Sequence, residues 1–416
     1  GPGAVSDKLK GNAKWTLMEW TDRLEAEFPF LEYARASRSE YLDLHRVDFR
    51  EPGRERPVKV IHVPKTLKTP RIIAVEPACM MFVQQGLMSL MKEEFRADQN
   101  AFQFICFDSQ EPNRALAQLA SRDGSLATLD LKDASDRVSN QLVLNLFERF
   151  PTLSRAVQAC RSRSADVSGK TYRLAKFASM GSALTFPLEA MVFCTLVFVG
   201  IERALNRPLS RGDIKSLYGK VRIYGDDIIV PVEYAHTVID TLEAFGALVN
   251  RSKSFWTGKF RESCGGDFYA GYPVGVARVR RVLPESRKDV SEIVSTVSLR
   301  NQLNELGYFE TVRWLDGVIS AVLPVYPLVT ENSPILGRVE HGRPYQVDRW
   351  ETNTQRPLTR GFVVDGVTPQ SMIDGYDALL KVLCRTGETR FEDSRHLERS
   401  GRPLVVRLKL RWASSV

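Results

Sequence analysis

The run Tyr224-Gly225-Asp226-Asp227 constrains this chain more than any other stretch. Two adjacent carboxylates stand at a glycine turn between the apolar runs Val221-Arg222-Ile223 and Ile228-Ile229-Val230. The pattern predicts a β-hairpin with paired acids at its tip. Like charges side by side are costly to bury unless something neutralises them. Arg222, the only basic side chain in the hairpin, alternates with apolar neighbours instead of flanking the acids. A divalent cation is the natural partner. Gly-Asp-Asp alone also fits an ordinary polar turn, so the rest of the chain must decide.

With 416 residues, 43% hydrophobic and 26% charged, the chain can bury a sizeable core and form two or three subdomains. Lys and Arg number 58 against 50 Asp and Glu, a net +8 that suits a polyanionic partner and equally a merely basic protein. Cys79, Cys106, Cys160, Cys194, Cys264 and Cys384 are scattered singly, which predicts reduced thiols in a cytosolic setting. With no C-x-x-C and dispersed histidines, neither a zinc site nor a Ser-His-Asp arrangement is suggested. The longest apolar run, 190–201, is too short to cross a bilayer and predicts a core helix, with no membrane partner. Gly1-Pro2-Gly3, with neither Met nor signal peptide, reads as the scar of a removed expression tag.

Along the chain, 14–50 reads as mainly helical, 58–75 as β-rich and basic, and 77–97 as helical. Leu126 to Leu131 suits a buried strand, and Ser139 is placed to cap a helix through Phe147. A long buried helix is expected over 181–205 and an amphipathic one over 237–245. After Gly271 the pattern is helical, becoming Pro- and Gly-rich from about 324 to 370. The stretch 395–412 is strongly basic.

Asp130 ends the first of these buried strands and is followed by Ala134-Ser135-Asp136. An acid there can reach a metal shared with the Asp226 hairpin, or simply stand at a helix N-terminus. Ser179-Met180-Gly181-Ser182 forms a small-residue loop that lets backbone approach a ligand. Thr185 and Glu189 follow at i and i+4, on one helix face, where a solvated acid is the plainer reading. Lys65, Lys68 and Arg71 are either a solvated basic face or, beside acid-bound metals, a triphosphate channel.

In this order the pieces resemble the motifs of viral RNA-dependent RNA polymerases, most closely the Q-beta-type replicase catalytic subunit of the single-stranded RNA phages, over about 58–320. The stretch from Val63 to Pro77 resembles that family's basic fingers motif. Thr128-Leu129-Asp130 with Ala134-Ser135-Asp136 resembles the first palm motif. Ser179-Met180-Gly181 with Thr185-Phe186 and Leu188-Glu189 resembles the second, with Glu where many viral polymerases carry Asn. The stretch from Tyr224 to Pro231 resembles the third and that from Asn250 to Phe255 the fourth, while Phe260 to Gly265 resembles a run particular to phage replicases.

The resemblance implies an α/β (α+β) right-hand polymerase with fingers, palm and thumb. Fingers are expected over 1–120 and 151–178, palm over 121–150 and 179–275, and thumb with the C-terminal region over 276–416. Asp130, Asp226 and Asp227 would hold two Mg²⁺, for which Mn²⁺ can substitute, about 3.5 to 4 Å apart. Lys65, Lys68, Arg71, Asp136, Ser179, Gly181, Thr185 and Glu189 would line the NTP site, with Lys253 assisting pyrophosphate departure. Implied partners are template and product RNA, NTPs and bacterial elongation factors Tu and Ts, in the cytoplasm of an infected host. A reverse transcriptase shares the paired-acid hairpin, but the small and acceptor-bearing side chains of Ala134-Ser135-Asp136 suit a ribose 2′-hydroxyl. An inactive RNA-binding protein on the same fold is the other alternative, disfavoured by retention of all three acids.

Overall fold

The apolar run before Asp130 becomes the strand Leu126–Leu129, buried at every position. It pairs with the hairpin strand Asp227–Pro231, which is in turn antiparallel to Arg222–Tyr224, so the later strand is the centre of a three-stranded sheet. The computed structural model describes residues 4–64, 69–177, 179–367, 372–386 and 405–416. The main core packs Leu129, Ile223, Ile228 and Val230 of this sheet with side chains of the helices Thr185–Leu205 and Ala235–Ala244. The two helices come close because Gly200 has no side chain: a Cβ there would lie 2.9 Å from Val238 Cα.

A second sheet carries the basic stretch, in the order Pro70–Val75, Val58–Pro64, Ser164–Val167, Lys170–Arg173. Its edge touches the small-residue loop. The Ala74 N–H donates to the Met180 carbonyl at 2.8 Å. Gly181 has φ +133°, and a Cβ there would sit 2.0 Å from the Ala74 carbonyl oxygen, so only glycine fits. The helix Ala78–Ala97 braces the same loop through buried Gln84, which donates to the Cys160 carbonyl at 2.8 Å and accepts from the Ala183 N–H at 3.1 Å.

Farther along, the helices Val290–Glu305 and Phe309–Val322 enclose a smaller core in which Ile293, Val297, Ile319 and Leu323 meet Phe362. Fully buried Arg300 bridges Asp316 at 2.8 Å and Glu340 at 2.9 Å. Phe362 belongs to the strand Pro357–Val367, paired antiparallel along its length with Val405–Ser414.

Several expectations are met: the strand at 126, the Ser139 cap, which accepts from the Leu142 N–H at 3.1 Å, and the helices near 77–97 and 237–245. Three differ. The region 14–50 is not continuously helical but made of short turns with a parallel strand pair, Glu19–Thr21 and Asp48–Arg50. Pro29 disfavours α conformation at Phe28, and the Ser37–Glu40 capping box restarts the chain as a 3₁₀ run. The long helix begins at Thr185 rather than Gly181, because Gly181 is left-handed. The Pro- and Gly-rich region contains an 11-residue strand, stabilised by a partner far along the chain. Its Gly361 is demanded by packing, as a Cβ would meet Ile335 Cγ2 at 2.3 Å. Among the described residues no helix is long and apolar enough to cross a membrane, and Cys79, Cys106, Cys160, Cys194 and Cys264 are buried free thiols.

Glu76 ends the basic strand inside the core, where its carboxyl accepts from Ser162 Oγ at 2.5 Å. Burial pushes its pKa up from 4.5 to about 7, against the opposing pull of Ser162, Gln84 and Arg161. The folded state therefore keeps a proton that the unfolded chain loses, and this residue's contribution to stability declines as pH rises from about 4.5 to about 7. Glu76→Gln should flatten stability across that window in urea titrations. A slope identical to the parent's would contradict the assignment.

Candidate active site

The hairpin turn is a two-residue one, with Tyr224 paired to Asp227 and Gly225-Asp226 between them. Gly225 has φ +62°, and a Cβ on it would lie 2.7 Å from Phe186 Cε2 and 3.1 Å from Glu189 Oε1. The turn thus rests on the first two turns of the long helix, and Phe186 also meets Tyr224 edge-to-face at 4.8 Å. Arg222 is turned away from the acids, donating to the Phe102 and Gln103 carbonyls at 3.0 and 2.8 Å. It cannot neutralise them.

One residue beyond the Leu129–Ile228 pair, Asp130 comes level with Asp227 on the neighbouring strand. The segment after Val249 zips along the other edge of the same strand, with Thr128 and Phe255 exchanging backbone bonds of 2.9 and 2.8 Å. This places Asn250 against Asp130: its N–H donates to the Asp130 carbonyl at 2.8 Å and its Nδ2 to Oδ2 at 2.7 Å. The Asp130 N–H in turn donates to Ser254 Oγ at 3.1 Å. Asp227 is half-buried and receives a backbone and a thiol hydrogen bond from Cys264. The Cys264 carbonyl is itself clamped by Arg114 Nε and Nη2, each at 3.0 Å.

The electrostatics record the crowding. Burial, then the charges of Asp226 and Asp130, push Asp227 up to about 6, against the Cys264 bonds. Burial followed by Asp226 and Asp136 pushes Glu189 up to about 8. Glu189 Oε2 is buried with no hydrogen-bond partner. Among the described residues no three His, Cys, Asp or Glu side chains are already gathered closely enough to enclose an ion. The donor set is nevertheless all-oxygen and acidic, with an unsatisfied carboxylate oxygen beneath it, and fits a hard divalent cation such as Mg²⁺ or Mn²⁺.

The other expected site residues fall around these acids. Asp136 lies exposed on the short helix Ala134–Arg137, near enough to Glu189 to perturb it. Thr185 is buried and donates its hydroxyl to the Ser179 carbonyl at 2.9 Å, bracing the loop that contains Gly181. Arg71 is exposed on the strand Pro70–Val75, whereas Lys65 and Lys68 lie outside the described residues. Lys253 is exposed and its charge acts on Glu262. Asn250 and Cys264 lie within recognised motifs, yet their contacts to Asp130 and Asp227 exist only in the folded chain. Glu262 lies in the same run as Cys264, whereas Arg114 carried no sequence signal.

With this geometry in place, comparison with known proteins is decisive. The family model for RNA replicase, beta-chain, matches residues 20–304. This chain belongs to that family. The RNA-directed RNA polymerase beta chain of Enterobacteria phage fr is 33% identical over 248 residues, covering 60% of this chain and 41% of the relative. The RNA-directed RNA polymerase subunit beta of Escherichia virus Qbeta is 33% identical over 261 residues, covering 62% and 39%. The matches thus span only about two fifths of these relatives' length. Among solved structures, the BmCPV RNA-dependent RNA polymerase at elongation state superposes with a TM-score of 0.44 at 13% identity, covering 66% of this chain and 27% of that one. The observed architecture is the α/β one that the replicase resemblance implied.

Asn250 tests the site directly. Asn250→Ala should leave the fold intact but weaken Mn²⁺ binding by about 10- to 100-fold, the usual cost of removing a group that orients a metal ligand. Isothermal calorimetry on the metal-free protein would measure this. Unchanged affinity would remove Asp130 from the metal set.

Proposed function

We propose that this chain carries the catalytic unit of an RNA-dependent RNA polymerase that copies a viral single-stranded RNA genome by nucleotidyl transfer from NTPs. The observation that carries the reading is the meeting of Asp130 and Asp226-Asp227 on adjoining strands, with Asp227 raised by burial and then by both neighbours' charges. Membership of the replicase family supports it.

Asp130, Asp226 and Asp227 would hold two Mg²⁺, or Mn²⁺ in their place, and the bound ions would supply activation of the attacking 3′-hydroxyl and charge neutralisation for the leaving pyrophosphate. Asn250 fixes one oxygen of Asp130, and Cys264 fixes Asp227. Asp136, an exposed acceptor beside the acids, is the residue we assign to the ribose 2′-hydroxyl, while Thr185, Ser179, Gly181 and Glu189 shape and support that pocket. Arg71, with Lys65 and Lys68, would hold the triphosphate. Lys253, beside Glu262, would donate a proton to departing pyrophosphate.

In right-hand terms, the three-stranded sheet with its helices is the palm (121–150 and 179–275), the four-stranded sheet belongs to the fingers (1–120 and 151–178), and 276–416 forms the thumb and C-terminal region. Work in a host cytoplasm with template RNA follows from the phage relatives. Assembly with elongation factors Tu and Ts rests on the resemblance alone, and recovery of the chain free of both from a bacterial lysate, fully active, would refute it.

A nucleotide-incorporation assay on an RNA template, with rNTPs and dNTPs in parallel, tests the core of this reading. Asp226→Asn should lower incorporation by several orders of magnitude while the melting temperature stays near the parent's. Incorporation at close to the parent rate would end the metal assignment. In the same assay, Asp136→Ala should reduce the preference for rNTPs by about 1 to 3 kcal/mol. An unaltered preference would take the ribose from Asp136.

A further inference from the structure

The hairpin that carries Cys264 turns in a conformation that cysteine disfavours. Its strands Phe260–Ser263 and Gly266–Tyr269 pair antiparallel with Ser263 opposite Gly266, so Cys264-Gly265 is a two-residue connection. Both residues have positive φ, +51° and +71°, the mark of a type I′ turn. Gly, Asn and Asp suit the first position of such a turn, whereas the Cβ of a cysteine there is held against its preference. The site nevertheless uses the side chain: the Cys264 thiol and backbone N–H both bond Asp227.

The helix Glu111–Asp123 grips this turn. Arg114 Nε and Nη2 close as a fork on the Cys264 carbonyl, each at 3.0 Å. The arginine stem lies so near the hairpin that a Cβ on Gly266 would stand 3.2 Å from Arg114 Cγ. Nη2 also donates to Gln110 Oε1 at 3.3 Å, and the Gln110 side chain bonds Tyr224, at the foot of the acid turn. One end of the helix therefore reaches both hairpins, the one bearing Asp226-Asp227 and the one bonding Asp227. Farther along it, Gln118 Nε2 donates to the Gly271 carbonyl and Ser121 Oγ accepts from the Gly271 N–H, both at 2.9 Å. From the other side, fully buried Arg261 ties the hairpin to the strand that leads to Asp130, donating to the Leu126 carbonyl at 2.6 Å. These anchors fix the body of the hairpin, while the Arg114 fork acts on the left-handed residue itself.

We infer that Arg114 is a positioning residue for Asp227: its fork offsets the unfavourable backbone conformation of Cys264 and so keeps that residue's N–H and thiol aimed at the carboxylate. That Asp227 is a metal ligand rests on the polymerase reading. A carboxylate fixed in this way offers a divalent cation an oxygen already in place, whereas an unfixed one must be ordered when the ion binds. Without the fork, Cys264 relaxes toward negative φ and its donors swing off Asp227.

The test is a double-mutant cycle read by calorimetric titration of the metal-free full chain with Mn²⁺. Arg114→Ala should weaken binding about 10-fold in the parent. Cys264→Gly loses the thiol but keeps the N–H, and glycine adopts positive φ without strain, so the turn no longer needs the fork. In that background Arg114→Ala should cost no more than about 3-fold. Circular dichroism and the melting temperatures of the metal-free proteins guard against misfolding. Should Arg114→Ala not fold, Arg114→Lys, which keeps the charge and the stem but not the fork, takes its place in both backgrounds. A folded Arg114 variant with the parent's Mn²⁺ affinity overturns the inference. So does an equal loss in both backgrounds, which would make Arg114 a general support of the hairpin with no special bearing on the turn. Because binding is read without turnover, the two readings fail separately. A chain that passes the cycle yet incorporates no nucleotide refutes the polymerase reading alone, and one that polymerises while its Arg114→Ala variant binds Mn²⁺ like the parent refutes the positioning role alone.

Discussion

Mutual repulsion among carboxylates is the constraint around which this molecule is arranged. Asp130, Asp226 and Asp227 stand at the same end of adjoining strands, and Glu189 lies under the turn that carries two of them. Such a concentration of acid is unfavourable for folding, and the surrounding structure offsets it in identifiable ways. Asn250 and Ser254 bond Asp130, and Cys264 bonds Asp227 with Arg114 holding Cys264 in place. The protein keeps Arg222 out of the cluster: its Nη1 donates to two backbone carbonyls instead. A permanent internal cation there would have satisfied the acids and left them nothing to offer an exchangeable one.

The same arrangement explains which features were legible in the sequence. The hairpin, the strand before Asp130 and the Ser139 cap are local patterns, set by alternation, a turn glycine and one hydroxyl, and each was readable without knowing its surroundings. Placing Asp130 beside Asp227 needed more than alternation, and there the order of the motifs supplied the pairing. Contacts made only by the folded chain were illegible. Arg114 joins the site from the helix Glu111–Asp123, and nothing in that amphipathic helix marks it as the residue that holds Cys264.

Where the sequence offered no assignment, the cause was a partner distant in sequence. Pro357–Val367 carries a proline and two glycines, and by propensity alone it is a poor strand. Ten register pairs with Val405–Ser414 and the seating of Gly361 against Ile335 make it one. The region 14–50 failed in the opposite sense. Its helical periodicity is real over a turn or two, but Pro29 and the parallel strand pair divide it before a long helix can form.

The contact between Ala74 and Gly181 has a mechanical consequence. One hydrogen bond to Met180 and a backbone approach too close for any side chain fasten the strand bearing Arg71 to the loop leading into the helix of Glu189. Two elements that look like separate motifs in the sequence are in effect one lever. A shift of the loop would carry the basic strand with it, so cation placement and pocket shape share a single degree of freedom and must be set in register together.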